Sequence, residues 1–283
     1  MLSALIRLPS RSRATWRVPP LAVHWRGHRA EPGQLADFLE LTGLNAGPSL
    51  PILYPYVFGF RLPMVILTHP LFPIPIWSAL QVRNHILQHR PIPADAVMDL
   101  ETRVAAQRLL DKGTEVDLHT TVNVNGSRAW ECLNVFYYRG RFGVPEGASP
   151  ASVTPPPTPS TVAARWRLPH GVGWRFARMT GDYNGIHRWG WYARLFQFQR
   201  AFFHPQMIAG QCLARLPEPG REGPQRLDLW IRGPAYFDAD VTLCAAPRGT
   251  ATEFALMVEG DERPAMLARW AAADSHGQPL AAA

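Results

Sequence analysis

Val116, Leu118, Val122 and Val124 lie along a segment in which apolar and polar residues alternate, and Asn125-Gly126 separates it from a second apolar-rich run, Trp130 to Tyr138. A period of two puts one face of a β-strand in a core, and Asn-Gly closes tight hairpins, so the pattern predicts long antiparallel strands. The period changes at Ile208, Cys212, Leu213 and Leu216, whose spacing predicts a helix opening at Pro205. Ahead of it, Arg165 to Pro169 followed by Trp174-Arg175-Phe176-Ala177 predicts a strand feeding a polar turn. The most apolar stretch, Leu50 to Leu80, follows neither period. Arg61 and Pro51, Pro55, Pro63, Pro70, Pro73 and Pro75 interrupt it, which excludes the ~20-residue helix of a membrane span and predicts a buried but irregular segment.

Pro150, Pro155, Pro156, Pro157 and Pro159, interleaved with Ser and Thr, predict an extended linker over 150–160. On either side of it the chain echoes itself. Pro91-Ile92-Pro93-Ala94-Asp95-Ala96 reappears as Pro234-Ala235-Tyr236-Phe237-Asp238-Ala239, and Thr114-Glu115-Val116-Asp117-Leu118 as Thr252-Glu253-Phe254-Ala255-Leu256. The expected organisation is therefore a tail at 1–20, one unit at 21–149 and a second at 161–283. Each unit reads as a strand, an irregular stretch or helix, then three or four long antiparallel strands, an α+β arrangement in which a curved sheet wraps a central helix.

With 283 residues, 47% hydrophobic and 18% charged, the chain can bury the core of one large or two ordinary domains. Its net charge of +7 is concentrated at one end: Arg7, Arg11, Arg13, Arg17, Arg26 and Arg29 precede any acid, and the remaining body holds 23 basic against 22 acidic side chains. A nearly neutral body argues against a nucleic-acid partner. The acid-free start has the composition of a transit peptide, though a flexible tail without a targeting role is the favoured reading. Cys132, Cys212 and Cys244 are odd in number and widely spaced in apolar surroundings, so they are expected to be buried free thiols in a reducing, cytoplasmic setting.

The candidate chemistry lies in Thr180-Gly181-Asp182-Tyr183-Asn184-Gly185-Ile186-His187. Asp182 and His187 are complementary acid/base groups, and Asn184-Gly185 is a turn signal that brings them together. Downstream, Ala201-Phe202-Phe203-His204-Pro205-Gln206-Met207 opens the predicted helix, seventeen residues separating His187 from His204. This order resembles the MaoC-like hot-dog dehydratases and (R)-specific enoyl-CoA hydratases, whose pattern is G-D-x-N-P-I-H, an aromatic pair, then A-I-A-H-G-M. The resemblance spans about residues 161 to 273. Two positions depart from it: Gly185 replaces the family's proline, and Pro205 replaces the glycine after the second histidine. In the family the amide at that glycine meets the thioester oxygen as charge develops, and proline has no N–H. Gln206 and Met207, at the start of the same helix, are the substitute donors, with His204 beside them in the substrate-binding set.

The resemblance implies a double hot-dog with a degenerate first half and a hydro-lyase acting on 3-hydroxyacyl or 2-enoyl thioesters of coenzyme A or acyl carrier protein. It implies His187 exchanging the α-carbon proton, Asp182 handling water or hydroxide and Asn184 orienting them, without metal or redox cofactor. A homodimer is compatible with it. The first half lacks D-x-N-x-x-H, and prolines are expected to break its central helix at Thr68 to Trp77. Phe72, Ile74 and Trp77 are candidate walls of an acyl tunnel or plain core residues, and His69 is a core or turn histidine. Two other readings stay open: an acyl-thioester-binding protein that lost its donor at Pro205, and a hot-dog thioesterase.

Overall fold

The computed structural model describes residues 16–147, 154–219 and 223–273. The first half contributes β1 (Ala22–His28), β2 (Leu80–Gln88), β3 (Met98–Leu110), β4 (Gly113–Val124) and β5 (Ser127–Arg139). The second contributes β6 (Val162–Arg167), β7 (Gln225–Ile231), β8 (Asp240–Arg248), β9 (Ala251–Val258) and β10 (Met266–Ala272). All ten belong to one antiparallel sheet, ordered β1-β3-β4-β5-β2-β7-β10-β9-β8-β6. The halves meet where β2 pairs with β7, from Arg83 opposite Trp230 to Gln88 opposite Gln225. Outward from that seam each half repeats the other strand for strand, which is the α+β double hot-dog. The hairpin predicted at Asn125-Gly126 joins β4 to β5, with both residues at positive φ, 51° and 74°.

Alternation separates two very different faces. Val116, Leu118, Val122, Leu227, Leu229, Phe254 and Leu256 point into the core shared with the helices. The opposite face carries ion pairs between strands, one of them reaching over β5 from β2 to β4. Arg83 chelates Glu115 at 2.9 and 2.7 Å, His89 and His119 reach the two oxygens of Glu131 at 2.8 and 2.7 Å, and His85 crosses the seam to Asp228 at 2.8 Å. Glu115 and Glu253, paired with Arg269, occupy equivalent places in β4 and β9, so the sequence echo is structural. The other echo connects β2 to β3 and β7 to β8.

Six helices cover the core: α1 (Pro32–Thr42), α2 (Tyr54–Gly59), α3 (Arg61–Leu67), α4 (Gly173–Thr180), α5 (Gly190–Leu195) and α6 (Pro205–Leu213). Two expectations are corrected here. Trp174 to Ala177 is not strand but the body of α4. Glycine at 171 and 173 and a run of only four apolar-rich residues hid a helix whose burial is spread over Phe176, Ala177 and Met179. The segment Leu50 to Leu80 is likewise not irregular throughout, because α2 and α3 follow one another through Phe60, the cap of both. Pro55 and Pro63 fall in the first turns of these helices, where an amide has no intrahelical partner to lose.

Pseudo-symmetry identifies α2 and α3 as the first half's central helix. Leu50 donates to the Ile92 carbonyl as Phe203 donates to that of Ala235, both at 2.8 Å, immediately before α2 and α6 respectively. The broken helix expected at Thr68 to Trp77 is therefore displaced upstream. Phe72 and Ile74 are buried in the core, whereas Trp77 is 40% exposed on a 3₁₀ turn, so it walls no interior tunnel. His69 forms a local turn through its Nδ1 and the Leu71 amide. At the start of the described chain, Trp16 packs edge-on to Phe142 and the Val18 amide donates to Gln107, so attachment begins before the expected boundary at residue 20. Residues 1–15 and Pro150 lie outside the described residues.

Candidate active site

α4 ends where Gly181 adopts φ +75° and its amide donates back to Ala177. Arg61 of α3 donates to the carbonyls of Arg178 and Met179 at the same terminus, so a first-half cation steadies a second-half helix end. The chain then turns through its own side chains. The Asp182 amide donates to Thr180 Oγ1 at 3.1 Å, that of Asn184 to Asp182 Oδ1 at 3.0 Å, and that of Ile186 to Asn184 Oδ1 at 3.3 Å. Asn184 thereby caps a 3₁₀ turn over Gly185–His187. Its side-chain oxygen serves the turn. Gly185 stands where the family carries proline because a Cβ there would meet the Tyr192 ring at 2.6 Å.

These turns bring together three groups the sequence separates. His187 Nε2 lies 3.9 Å and His204 Nε2 3.3 Å from Asp182 Oδ2, and the two rings are 5.2 Å apart. Asp182, His187 and His204 form the one cluster of its kind among the described residues with ligand-type atoms all within 4.8 Å of one another. His187 Nδ1 lies 3.0 Å from the Phe202 carbonyl, which can only accept, so Nδ1 carries the proton and Nε2 presents a lone pair. Burial pushes His187 down to about 4, against the attraction of Asp182. Burial alone would raise Asp182. The hydrogen bond from His204 and the nearby imidazoles overcome it and hold the carboxyl far below its ordinary range.

α6 begins at Pro205 with His204 as its cap. Of the two substitute donors, the Met207 amide is already bonded to the His204 carbonyl at 3.0 Å. The Gln206 amide has no backbone partner among the described residues, so it alone remains available at this helix start. The Gln206 side chain donates to Gln81 at 3.3 Å, joining α6 to β2.

Sequence reasoning did not reach the first-half wall. Tyr56 of α2 and Phe60 at its C-terminal cap face His204 at centroid distances of 6.2 and 5.5 Å, with Phe176 at 4.9 Å. A signal for this existed. Phe38-x-x-x-Thr42-Gly43 repeats as Phe176-x-x-x-Thr180-Gly181, each Thr hydroxyl donating to its Phe carbonyl and each Gly closing its helix at positive φ. Leu44 then holds the place of Asp182, and Pro51 that of His204, so the first half cannot repeat the cluster. On the outer side a cavity of about 280 Å³ abuts His187, walled by Trp174, Trp189, Trp191, Arg188 and Arg200. Arg188 is clasped between the Trp174 and Trp189 rings, 4.2 Å from each.

No family model matches the chain. It is 30% identical over 186 residues to 3-hydroxyacyl-thioester dehydratase X of Mycobacterium tuberculosis, an alignment covering 66% of this chain and 66% of that relative's length. The crystal structure of HtdX from the same organism superposes with a TM-score of 0.74 at 25% identity, over 89% of this chain and all of that one. A MaoC-like dehydratase from Phytophthora capsici superposes with a TM-score of 0.74 over 92% of this chain and 97% of its own, but at 14% identity it speaks for the fold alone. Among the described residues no helix is long and apolar enough to cross a membrane.

Proposed function

Because the chain belongs to the MaoC-like double hot-dog dehydratase family, we propose that it interconverts 3-hydroxyacyl and 2-enoyl thioesters by removing or adding water at the Asp182–His187 site. The observation that carries this reading is the geometry at His187: Nδ1 faces the Phe202 carbonyl at 3.0 Å, leaving Nε2 bare 3.9 Å from the Asp182 carboxylate, and burial, which pushes the ring down to about 4, favours the neutral base. In dehydration, His187 Nε2 takes the proton from the carbon α to the thioester. The electron pair passes onto the carbonyl oxygen, which the Gln206 amide meets at the start of α6. The pair returns to form the double bond as the β-hydroxyl leaves with the proton that His187 carried. Asp182 remains ionised throughout and accepts the hydrogen of the β-hydroxyl, or of the water that replaces it. Asn184 fixes the turn on which both groups sit, so its part is to position them.

Arg188 and Arg200 beside His187 suit the phosphates of a thioester carrier, coenzyme A or acyl carrier protein. All three cysteines are buried free thiols, which supports a reducing, cytoplasmic setting; burial raises Cys132 and pushes Cys212 up to about 12. The test is the purified protein with crotonyl-CoA and a longer enoyl-CoA, followed at the enoyl absorbance. Asp182→Asn and His187→Ala should each lower turnover by roughly 10²–10⁴-fold with the fold retained. A loss below tenfold with either would remove the assigned roles.

A further inference from the structure

We propose that His204 is a positioning residue that holds Asp182 ionised and aimed at the reacting centre, by donating its Nε2–H to Oδ2. This rests on the reading of Asp182 as the acceptor for the β-hydroxyl or water, and gives His204 a part distinct from that of His187. The nearest imidazole to the carboxylate is not the one in its own turn. His204 Nε2 lies 3.3 Å from Oδ2, against 3.9 Å for His187. Oδ1 accepts the Asn184 amide at 3.0 Å, and Oδ2, with two lone pairs, has room for both the His204 hydrogen and the hydrogen of the reacting hydroxyl.

Among the described residues the His204 ring makes no other polar contact. Its Nδ1 is buried without a partner, and Tyr56, Phe60 and Phe176 enclose its faces. A hydrogen at Nδ1 would be an orphan donor, so the tautomer that fits the site carries its hydrogen on Nε2 and donates from there. The titratable groups facing the pair are His187 from the 3₁₀ turn and Tyr56 from α2, whose phenol burial keeps protonated; Arg188 bears on His187 from outside. None of these replaces the His204 donor. Without it, a buried Asp182 would favour its protonated form, which donates a hydrogen where the reaction needs an acceptor.

The test compares His204→Met, which fills the aromatic cage without a donor, with His204→Gln, which retains an N–H. The Met variant should lose about 10- to 100-fold in kcat with KM little changed, and the acid limb of its pH profile should move to higher pH. Gln should recover most of the loss. The carboxylate resonance of Asp182 in ¹³C-aspartate-labelled protein, assigned by its disappearance in Asp182→Asn, should titrate well below the usual range in the wild type and higher in His204→Met. A wild-type Asp182 that titrates in the ordinary range, a resonance unmoved in His204→Met, or a Gln variant no better than Met would each overturn the proposal. A wild type without turnover on enoyl thioesters, whose Asp182 still shifts on loss of His204, would overturn the hydro-lyase reading and leave the hydrogen-bond role in place.

Discussion

A buried imidazole beside a carboxylate is pulled in two directions, and at His187 burial wins, taking it down to about 4. Its folded value lies below the ~6.5 of an unfolded histidine, so the unfolded chain binds more protons between those limits and stability falls as pH drops through that window. Activity follows the same group. The acid limb of kcat/KM should lie near pH 4, and a limb near 6.5 would show that His187 is not the proton carrier. Pro205 sets a second residue-scale expectation. Pro205→Gly restores an amide at the start of α6, and a donor aimed at the developing oxyanion contributes roughly 2.7–4 kcal/mol. Turnover should therefore rise in a steady-state assay. A wild type that is already fast, with no gain from glycine, would show that the Gln206 amide meets the oxyanion unaided. An inactive wild type that binds acyl thioesters and gains turnover with glycine would mark a binding protein. Asp182, His187 and His204 could be read from spacing because each lies in a local motif. Tyr56 and Phe60 could not, since nothing in the sequence near either marks a partner about 150 residues away.

At the scale of elements, the turn that carries Asp182 and His187 depends on how closely α4 approaches it. A Cβ at Gly173, the first residue of α4, would lie 2.0 Å from the His187 carbonyl oxygen and 3.5 Å from the Arg188 side chain. Gly173→Ala should therefore push helix and turn apart. We expect a stability loss of ~1–3 kcal/mol and a fall in kcat larger than any rise in KM, measured by thermal melting and steady-state kinetics. That closeness also explains why α4 reads as a strand in the sequence: Gly173 is there for contact, and beside Gly171, which takes a left-handed φ of +76°, it resembles a turn residue. The proline-rich segment before β2 misled for the opposite reason. Two of its prolines, Pro55 and Pro63, sit in the first turns of helices, a distinction that requires knowing where the helices begin. The strands were plainer, because a period of two over Val116 to Val124 admits one interpretation.

For the whole molecule, the charged face of the sheet makes stability depend on pH. Glu131 is fully buried; that burial alone would raise it, yet hydrogen bonds from His119 and His89 pull it down to about 2. Its contribution is fully present above the unfolded value of ~4.3, fades as pH falls toward 2, and is on the order of 3 kcal/mol at neutral pH. Glu131→Gln should therefore lower stability in urea by about that amount at pH 7, with the gap to wild type narrowing on acidification. A gap independent of pH would place the effect in packing instead. The echo between halves was legible from sequence as short repeats. Its fuller extent, from Phe38-x-x-x-Thr42-Gly43 to the paired central helices, needed the topology to show which repeats correspond.

The β2–β7 seam gives the site a property that separate subunits would lack. Tyr56 and Phe60 reach His204 across that seam, and both sides of it belong to one polypeptide. Two chains forming such a wall would come apart on dilution, and the pocket would vanish with them. Here the tether keeps each half at a constant, high effective concentration around the other. The pocket is thus as complete in a scarce protein as in an abundant one, and the first half, relieved of chemistry at Leu44 and Pro51, is bound to remain as its wall.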